Sequence, residues 1–397
     1  MSRAHSIPML KAIAWTLAWL LVLDLCTSLA VSQLAARRPD SGLVRYFDYG
    51  LSIETKLDRM TRLPRNAPDA QILPAGWLDP EQWRDLPKQP RPGTDKLVAL
   101  YGQSFAFNAT NAAARLDGHW TLRGIGGPAA PPDHSYAAYL ADTGNAAADT
   151  VVFGILASSV SHMGSMTGMD WTFEHPAPFT FPHYRLAGGR LQAEAPVLQT
   201  EQQFRDAFAT RSPTWQAFKE QLARNDRGFS PIVFDRTWLD KSRIALLLRR
   251  GWVAHSQNYG DGVYDPVRGF SADSEQIEVL KAMLVDLAAR TQARGQRLIV
   301  LIEQDQGYGD TLFRALGPTL TEAHVEFVST HTLFSANDPR NFQPDGHYTI
   351  QANELFAKQL QATIRSAPKA PWNGRAANPA PLNAAGPQPD PMRDTAR

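Results

Sequence analysis

Two stretches far apart in the chain carry the residue types of nucleophilic catalysis. The first is YGQSFAF, residues 101–107, which sets Ser104 just past a short apolar run and at the start of a helical stretch. A serine hydroxyl is a weak nucleophile until a base takes its proton, while backbone N–H groups at such a turn can stabilise a developing oxyanion. The second is FQPDGHYTIQAN, residues 342–353, a Pro/Gly turn that carries Asp345 and His347. A carboxylate two residues from an imidazole can orient the ring and stabilise the imidazolium formed when it accepts a proton. Each stretch alone also reads as capping, with Ser104 closing a helix start and Asp345 doing so beside an exposed histidine. Together they supply a nucleophile, a base and an orienting acid.

Two further segments stand after apolar runs, where the loops of an α/β sheet collect reactive groups. RGIGGPAAPPDHSYAAY, residues 123–139, is glycine-rich and offers Gly126 and Gly127, whose spacing equally suits a tight turn. VVFGILASSV, residues 151–160, carries Gly154 and Leu156. With these four blocks the chain resembles the SGNH hydrolase superfamily, the GDSL-type esterases. Within it the resemblance is to membrane-anchored bacterial members associated with cell-surface or exopolysaccharide assembly. Gly102-Gln103-Ser104 stands where the family has Gly-Asp-Ser, and Asp345-Gly346-His347 where it has Asp-x-x-His, one residue shorter.

The resemblance covers about residues 96–365 and implies a catalytic set. Ser104 would be the nucleophile, His347 the general base and then acid, and Asp345 the orienting carboxylate, with the N–H groups of Ser104 and of Gly126 or Gly127 holding the oxyanion. The family's third block, Gly-x-Asn-Asp, is not kept, because Leu156 occupies the asparagine position. Loss of one oxyanion donor typically costs about 2.7–4 kcal/mol of transition-state stabilisation. Ser158 or Ser159 must then substitute, or turnover is slow.

Other chemistries find less support. His134, His162, His175, His183 and His255 are scattered without the helical spacing or carboxylate company of a zinc site, so neither a metal nor another cofactor is expected. Asp133 with His134 is expected to line the pocket rim or cap the next helix. Gly307-Tyr308-Gly309 is too short for a phosphate loop and follows Glu303 and Asp305, which would repel phosphate. Trp171, Phe173, Phe179 and Phe181 suit either stacking on sugar rings or a core of their own. With 40 Lys+Arg against 39 Asp+Glu the net charge is +1, so no nucleic-acid partner is expected. The single Cys26 leaves no disulfide and no thiolate pair.

The elements that must position these residues alternate. Apolar runs at 96–101, 120–125, 150–156, 297–302 and 324–328 read as strands, with helices at 104–116, 135–141, 274–290 and 348–364. This predicts an α/β fold, a three-layer α/β/α sandwich with a mainly parallel sheet, which in the light of the resemblance is SGNH- or flavodoxin-like. Between 161 and 264 the alternation breaks into a hairpin at 184–193 and helices near 201–211 and 214–224, an inserted subdomain over one end of the sheet.

At the ends, residues 12–36 are apolar but for Asp24 and a few small polar residues, long enough for a membrane helix. Residues 1–36 are expected to be an uncleaved anchor in a bacterial inner membrane. The alternative is a cleaved signal peptide with its site near the small residues 28–30. Residues 37–95, dense in proline, are expected to be a juxtamembrane linker with one short helix at 42–62. Residues 366–397 have the Pro/Ala-rich composition of a disordered tail.

The expected function is a membrane-anchored serine esterase or O-acyltransferase on an extracytoplasmic, periplasmic glycan, with a membrane protein as a candidate acyl donor. The alternative is a catalytically degenerate fold member that binds polysaccharide or scaffolds an export complex.

Overall fold

The computed structural model describes residues 6–259 and 262–367. The expected tail lies outside the described residues from 368 onward. Helix α1 (Ser6–Arg37) opens the chain. Its stretch Lys11–Arg37 is long and apolar enough to cross a membrane. Asp24, in the middle of that stretch, accepts a hydrogen bond from the backbone N–H of Ile244 at 2.8 Å. Farther along, Val31 of α1 packs with Val44, Phe47, Leu51 and Leu246. The C-terminal part of α1 is thus fastened to the body.

The centre is a five-stranded sheet made of β1 (Lys96–Gly102), β2 (Trp120–Gly126), β3 (Thr150–Leu156), β4 (Arg297–Glu303) and β5 (Glu326–Ser329). The strand order is β2-β1-β3-β4-β5, and every neighbouring pair is parallel. Such a sheet needs crossovers that cover its faces. Alternation along the strands decides which side chain meets which cover. Leu97, Ala99 and Tyr101 of β1, with Val151, Phe153 and Ile155 of β3, pack against Ile277, Leu280, Leu284 and Leu316. Val98 and Leu100, with Val152 and Leu156, face Ala106, Ala109, Phe356 and Leu360.

The covering helices are α2 (Ser104–Asp117), α3 (Pro132–Ala141), α5 (Glu275–Ala293), α6 (Thr311–Glu322) and α7 (Ile350–Arg365), with α4 (Arg243–Tyr259) lying between α3 and α5 in the chain. The strand order reverses between β1 and β3, and the crevice outside the strand ends at such a reversal is where α/β sheets bind ligands. Ser104 stands there, two residues past β1.

Residues 37–95 are not a spacer. The expected single helix is two, Gly42–Asp48 and Ile53–Arg62. Proline bars long helices but suits the first position of a short one, and 3-10 turns begin at Pro68 and Pro80. Ile53, Leu57, Leu73 and Trp77 join Phe204, Trp215, Phe218 and Phe234 of the 161–264 segment in one buried cluster. The hub of this joint is Asp240. It accepts from the Ser52 backbone at 2.9 Å, the Ser52 and Thr55 hydroxyls at 2.7 and 2.8 Å, and Arg249 at 2.5 Å. A hydrogen bond to a charged group contributes about 1.5–3 kcal/mol. Ser52→Ala removes the hydroxyl bond to Asp240 and leaves the Asp240–Arg249 pair whole, so it is expected to lower the thermal midpoint by a few degrees, whereas an independent linker at 37–95 would leave it unchanged.

Candidate active site

Residues 104 and 347 meet in space. Ser104 Oγ lies 2.7 Å from His347 Nε2. His347 Nδ1 lies 3.2 Å from a carboxylate oxygen of Asp345. Neither residue is spent on capping. The cap of α2 is Gln103, whose side-chain oxygen accepts from Phe105 N–H at 2.8 Å and Ala106 N–H at 3.1 Å. The cap of α7 is Thr349, which accepts from Ala352 N–H. Ser104 is left exposed, with its hydroxyl turned to the ring.

The imidazole is held from three sides. The Phe105 ring stacks on it at 4.8 Å between centroids. Asp345 faces Nδ1 and also accepts the backbone N–H of His347 at 3.1 Å, closing a turn around Gly346, whose φ of +88° suits glycine. That backbone hydrogen bond, with help from the ring, holds the Asp345 carboxyl below the usual carboxylate range. The carboxylate is therefore charged whenever an imidazolium would need it.

The oxyanion side is less complete. The first N–H groups of a helix have no partner inside it. Gln103 takes those of Phe105 and Ala106 with its side chain and that of Phe107 with its carbonyl. The N–H of Ser104 is the first-turn donor this cap does not take. Gly126 ends β2 directly beside Gly102 in the ladder. A Cβ on Gly126 would stand 2.0 Å from the Gly102 carbonyl oxygen, so packing alone demands glycine there, while one on Gly127 would make a tight contact of 3.0 Å with Gly76 Cα.

Ser158 and Ser159 have other work. Ser159 Oγ donates to the Leu156 carbonyl at 2.7 Å, and Ser158 bonds Asp305 through its backbone N–H at 3.0 Å and through its hydroxyl. Leu156 is itself buried among the side chains under α2 and α7.

Behind Gln103 lies Glu303, expected from the sequence only as a charge that would repel phosphate. It ends β4 opposite Leu156 and accepts from Gln103 Nε2 at 2.6 Å. Gln103 thereby ties the Ser104 loop to the second strand over, and the packing here needs glycine at 154, where a Cβ would fall 2.4 Å from the Ala106 methyl. The available signal was an acid closing the buried run RLIVLIE. Burial pushes the Glu303 carboxyl up to about 8, against the Gln103 hydrogen bond and with the neighbouring Asp305 adding to the rise. Burial likewise raises Asp305 to about 6.

The sign of the consequence follows from linkage. Folded Glu303 keeps its proton while the unfolded chain loses it from an ordinary value of 4.5 upward. Stability therefore falls as pH rises from the unfolded value to about 8, by on the order of a few kcal/mol. Glu303→Gln keeps an acceptor for Gln103 and removes the titration. Its thermal midpoint is expected to fall less than that of the wild type between pH 5 and 8, which parallel melting curves would read.

The remaining sequence candidates sit elsewhere. Asp133 and His134 line no rim, because both are fully buried in α3. His134 Nε2 lies 2.7 Å from the Gly76 carbonyl, and burial lowers the imidazole to about 4, so the neutral ring donates and fastens the 37–95 segment. His162 stacks on Trp171 at 4.9 Å, and burial lowers it also to about 4. Phe173, Phe179 and Phe181 are core, while Trp171, partly buried, lines a cavity of about 900 Å³ with Pro128, Phe173 and Leu247. Among the described residues no group of three or more His, Cys, Asp or Glu could hold a metal ion.

Against known proteins, no family model, no curated protein and no solved structure matches this chain.

Proposed function

We propose that this chain is a membrane-anchored serine enzyme that moves acyl groups on oxygen, an esterase or O-acyltransferase of SGNH type with a three-layer α/β/α body. The observation that carries the reading is the 2.7 Å contact between Ser104 Oγ and His347 Nε2, with Asp345 behind the ring. Ser104 attacks the acyl carbonyl as His347 takes its proton, and the N–H of Ser104, with that of Gly126 or Gly127, receives the oxyanion. His347 then returns the proton to the leaving oxygen. Water or a sugar hydroxyl, deprotonated by the same ring, releases the acyl group from the serine. Water makes the protein an esterase and a sugar hydroxyl makes it a transferase.

The substrate class in this reading is an O-acylated extracytoplasmic glycan, with the body on the periplasmic side of an inner membrane. The rival reading, a degenerate member that binds polysaccharide or scaffolds an export complex, is favoured by Leu156 at the usual asparagine position and by the commitment of Ser158 and Ser159 to other partners. A fluorophosphonate probe on the full-length protein, followed by acetate release from acetylated oligosaccharides, separates the two. Labelling at Ser104 with acetate release or transfer supports the enzyme. A folded protein that neither labels nor turns over acetyl esters overturns the enzyme reading in favour of the rival.

A further inference from the structure

Helix α4 carries large apolar side chains on both its inward and its outward side. Its inward side holds Leu246, Arg249 and Val253, and the arginine is paired with Asp240 at 2.5 Å. Its outward side presents Leu248, 70% exposed, and Trp252, 62% exposed. Just before it, the 3-10 turn Trp238–Lys241 presents Trp238, 75% exposed. A water-facing surface would carry polar side chains at these positions, and apolar groups gathered this way mark a contact surface.

The neighbouring helix identifies what it touches. The N-terminus of α4 is bonded through Ile244 N–H to Asp24 in the middle of α1. Beyond Asp24, α1 is packed on the body through Val31. Before Asp24, residues 11–23 are exposed, and the helix from Ser6 to that point is about 27 Å long at 1.5 Å per residue, close to the ~30 Å hydrocarbon core of a bilayer. The bilayer surface then falls at the level of Asp24, where its carboxylate leaves the hydrocarbon and meets an amide. The start of α4 stands at that level through Ile244, Trp238 precedes it by six residues on the 3-10 turn that leads in, and tryptophan is the residue enriched at membrane–water interfaces.

We propose that α4 and the turn before it form a second membrane contact. The outward face bearing Trp238, Leu248 and Trp252 rests in the headgroup region of the bilayer that α1 enters, so the body is laid on the membrane rather than hung from a tether. The arrangement gives Lys241, exposed beside Trp238, the headgroup phosphates as partners. This inference goes beyond the catalytic reading and is tested without turnover.

In a Cys26→Ser background, Trp238→Cys, Leu248→Cys and Trp252→Cys are each spin-labelled in the full-length protein reconstituted into phosphatidylethanolamine/phosphatidylglycerol vesicles. Leu21→Cys in α1 and Val267→Cys on an exposed turn serve as references. Power saturation with oxygen and with a water-soluble nickel chelate reads depth. The expected result is that positions 238, 248 and 252 collide with nickel several-fold less than position 267 while keeping high oxygen accessibility, as position 21 does. Nickel accessibility equal to that at 267 overturns the proposal. So does shielding from both reagents, which would mean a second copy or another protein covers the face, and so does an aqueous reading at position 21.

Discussion

Ser104→Ala is expected to abolish labelling by a serine-directed phosphonate and to lower ester hydrolysis by about 10⁵-fold, to the level set by binding and oxyanion donors alone. The residue is exposed and, among the described residues, its hydroxyl bonds His347 alone, so the change removes the nucleophile and little else. Its thermal midpoint should stay within the scatter of an ordinary surface substitution, about 0.5 kcal/mol. A full-length wild type that hydrolyses acetyl esters no faster than this variant, both being folded, would refute the enzyme reading. Leu156 would then be the mark of a site that has lost its chemistry.

The second large effect belongs to the base. His347→Ala is expected to cost about as much as Ser104→Ala, because nucleophile and base act as one unit and the double variant should be hardly worse than either single one. Asp345→Ala should cost far less, about 5- to 10-fold, since a pairing exposed to water contributes about 1 kcal/mol. Two features of the structure set this hierarchy. The Asp345 side chain is 66% exposed, which screens its charge. The stacked Phe105 ring orients the imidazole without it. Steady-state kinetics of the three single variants on one acyl ester would read the order. A loss with Asp345→Ala as deep as that with His347→Ala would show that the carboxylate carries the tautomer alone, and that the loop closes further when substrate binds.

The alternation of apolar runs and helical stretches fixed the sheet in advance, because a buried parallel strand leaves an unbroken apolar run and a covering helix leaves a periodic one. β1, β2, β3 and β4 fall within two residues of their predicted bounds, and the hairpin His183–Ala187 with Arg190–Glu194 lies where the glycine pair placed it. The helix α6 between the fourth and fifth strands escaped notice. The segment 37–95 was read wrongly for an instructive reason. Proline density reports which regular elements are barred, whereas burial of Trp77 and Leu57 depends on partners more than a hundred residues away.

For the site, the residue types and their order along the chain were legible, and Ser104, Asp345 and His347 were nameable from two short loops. At Gly126 the approach of the Gly102 carbonyl is reason enough for a glycine, and at Gly127 the Gly76 Cα leaves a tight contact. Glu303 was not legible as a support for the nucleophile loop, since its partner Gln103 is 200 positions away. By itself the sequence determined the parallel α/β body, the apolar N-terminal helix and the inventory of reactive side chains, because each leaves a local pattern in composition or periodicity. Only the tertiary structure decided that the serine meets the histidine, that Asp24 caps α4, and that Ser158 and Ser159 are occupied elsewhere, because hydrogen bonds form between groups brought close by the whole fold and no local pattern records that distance.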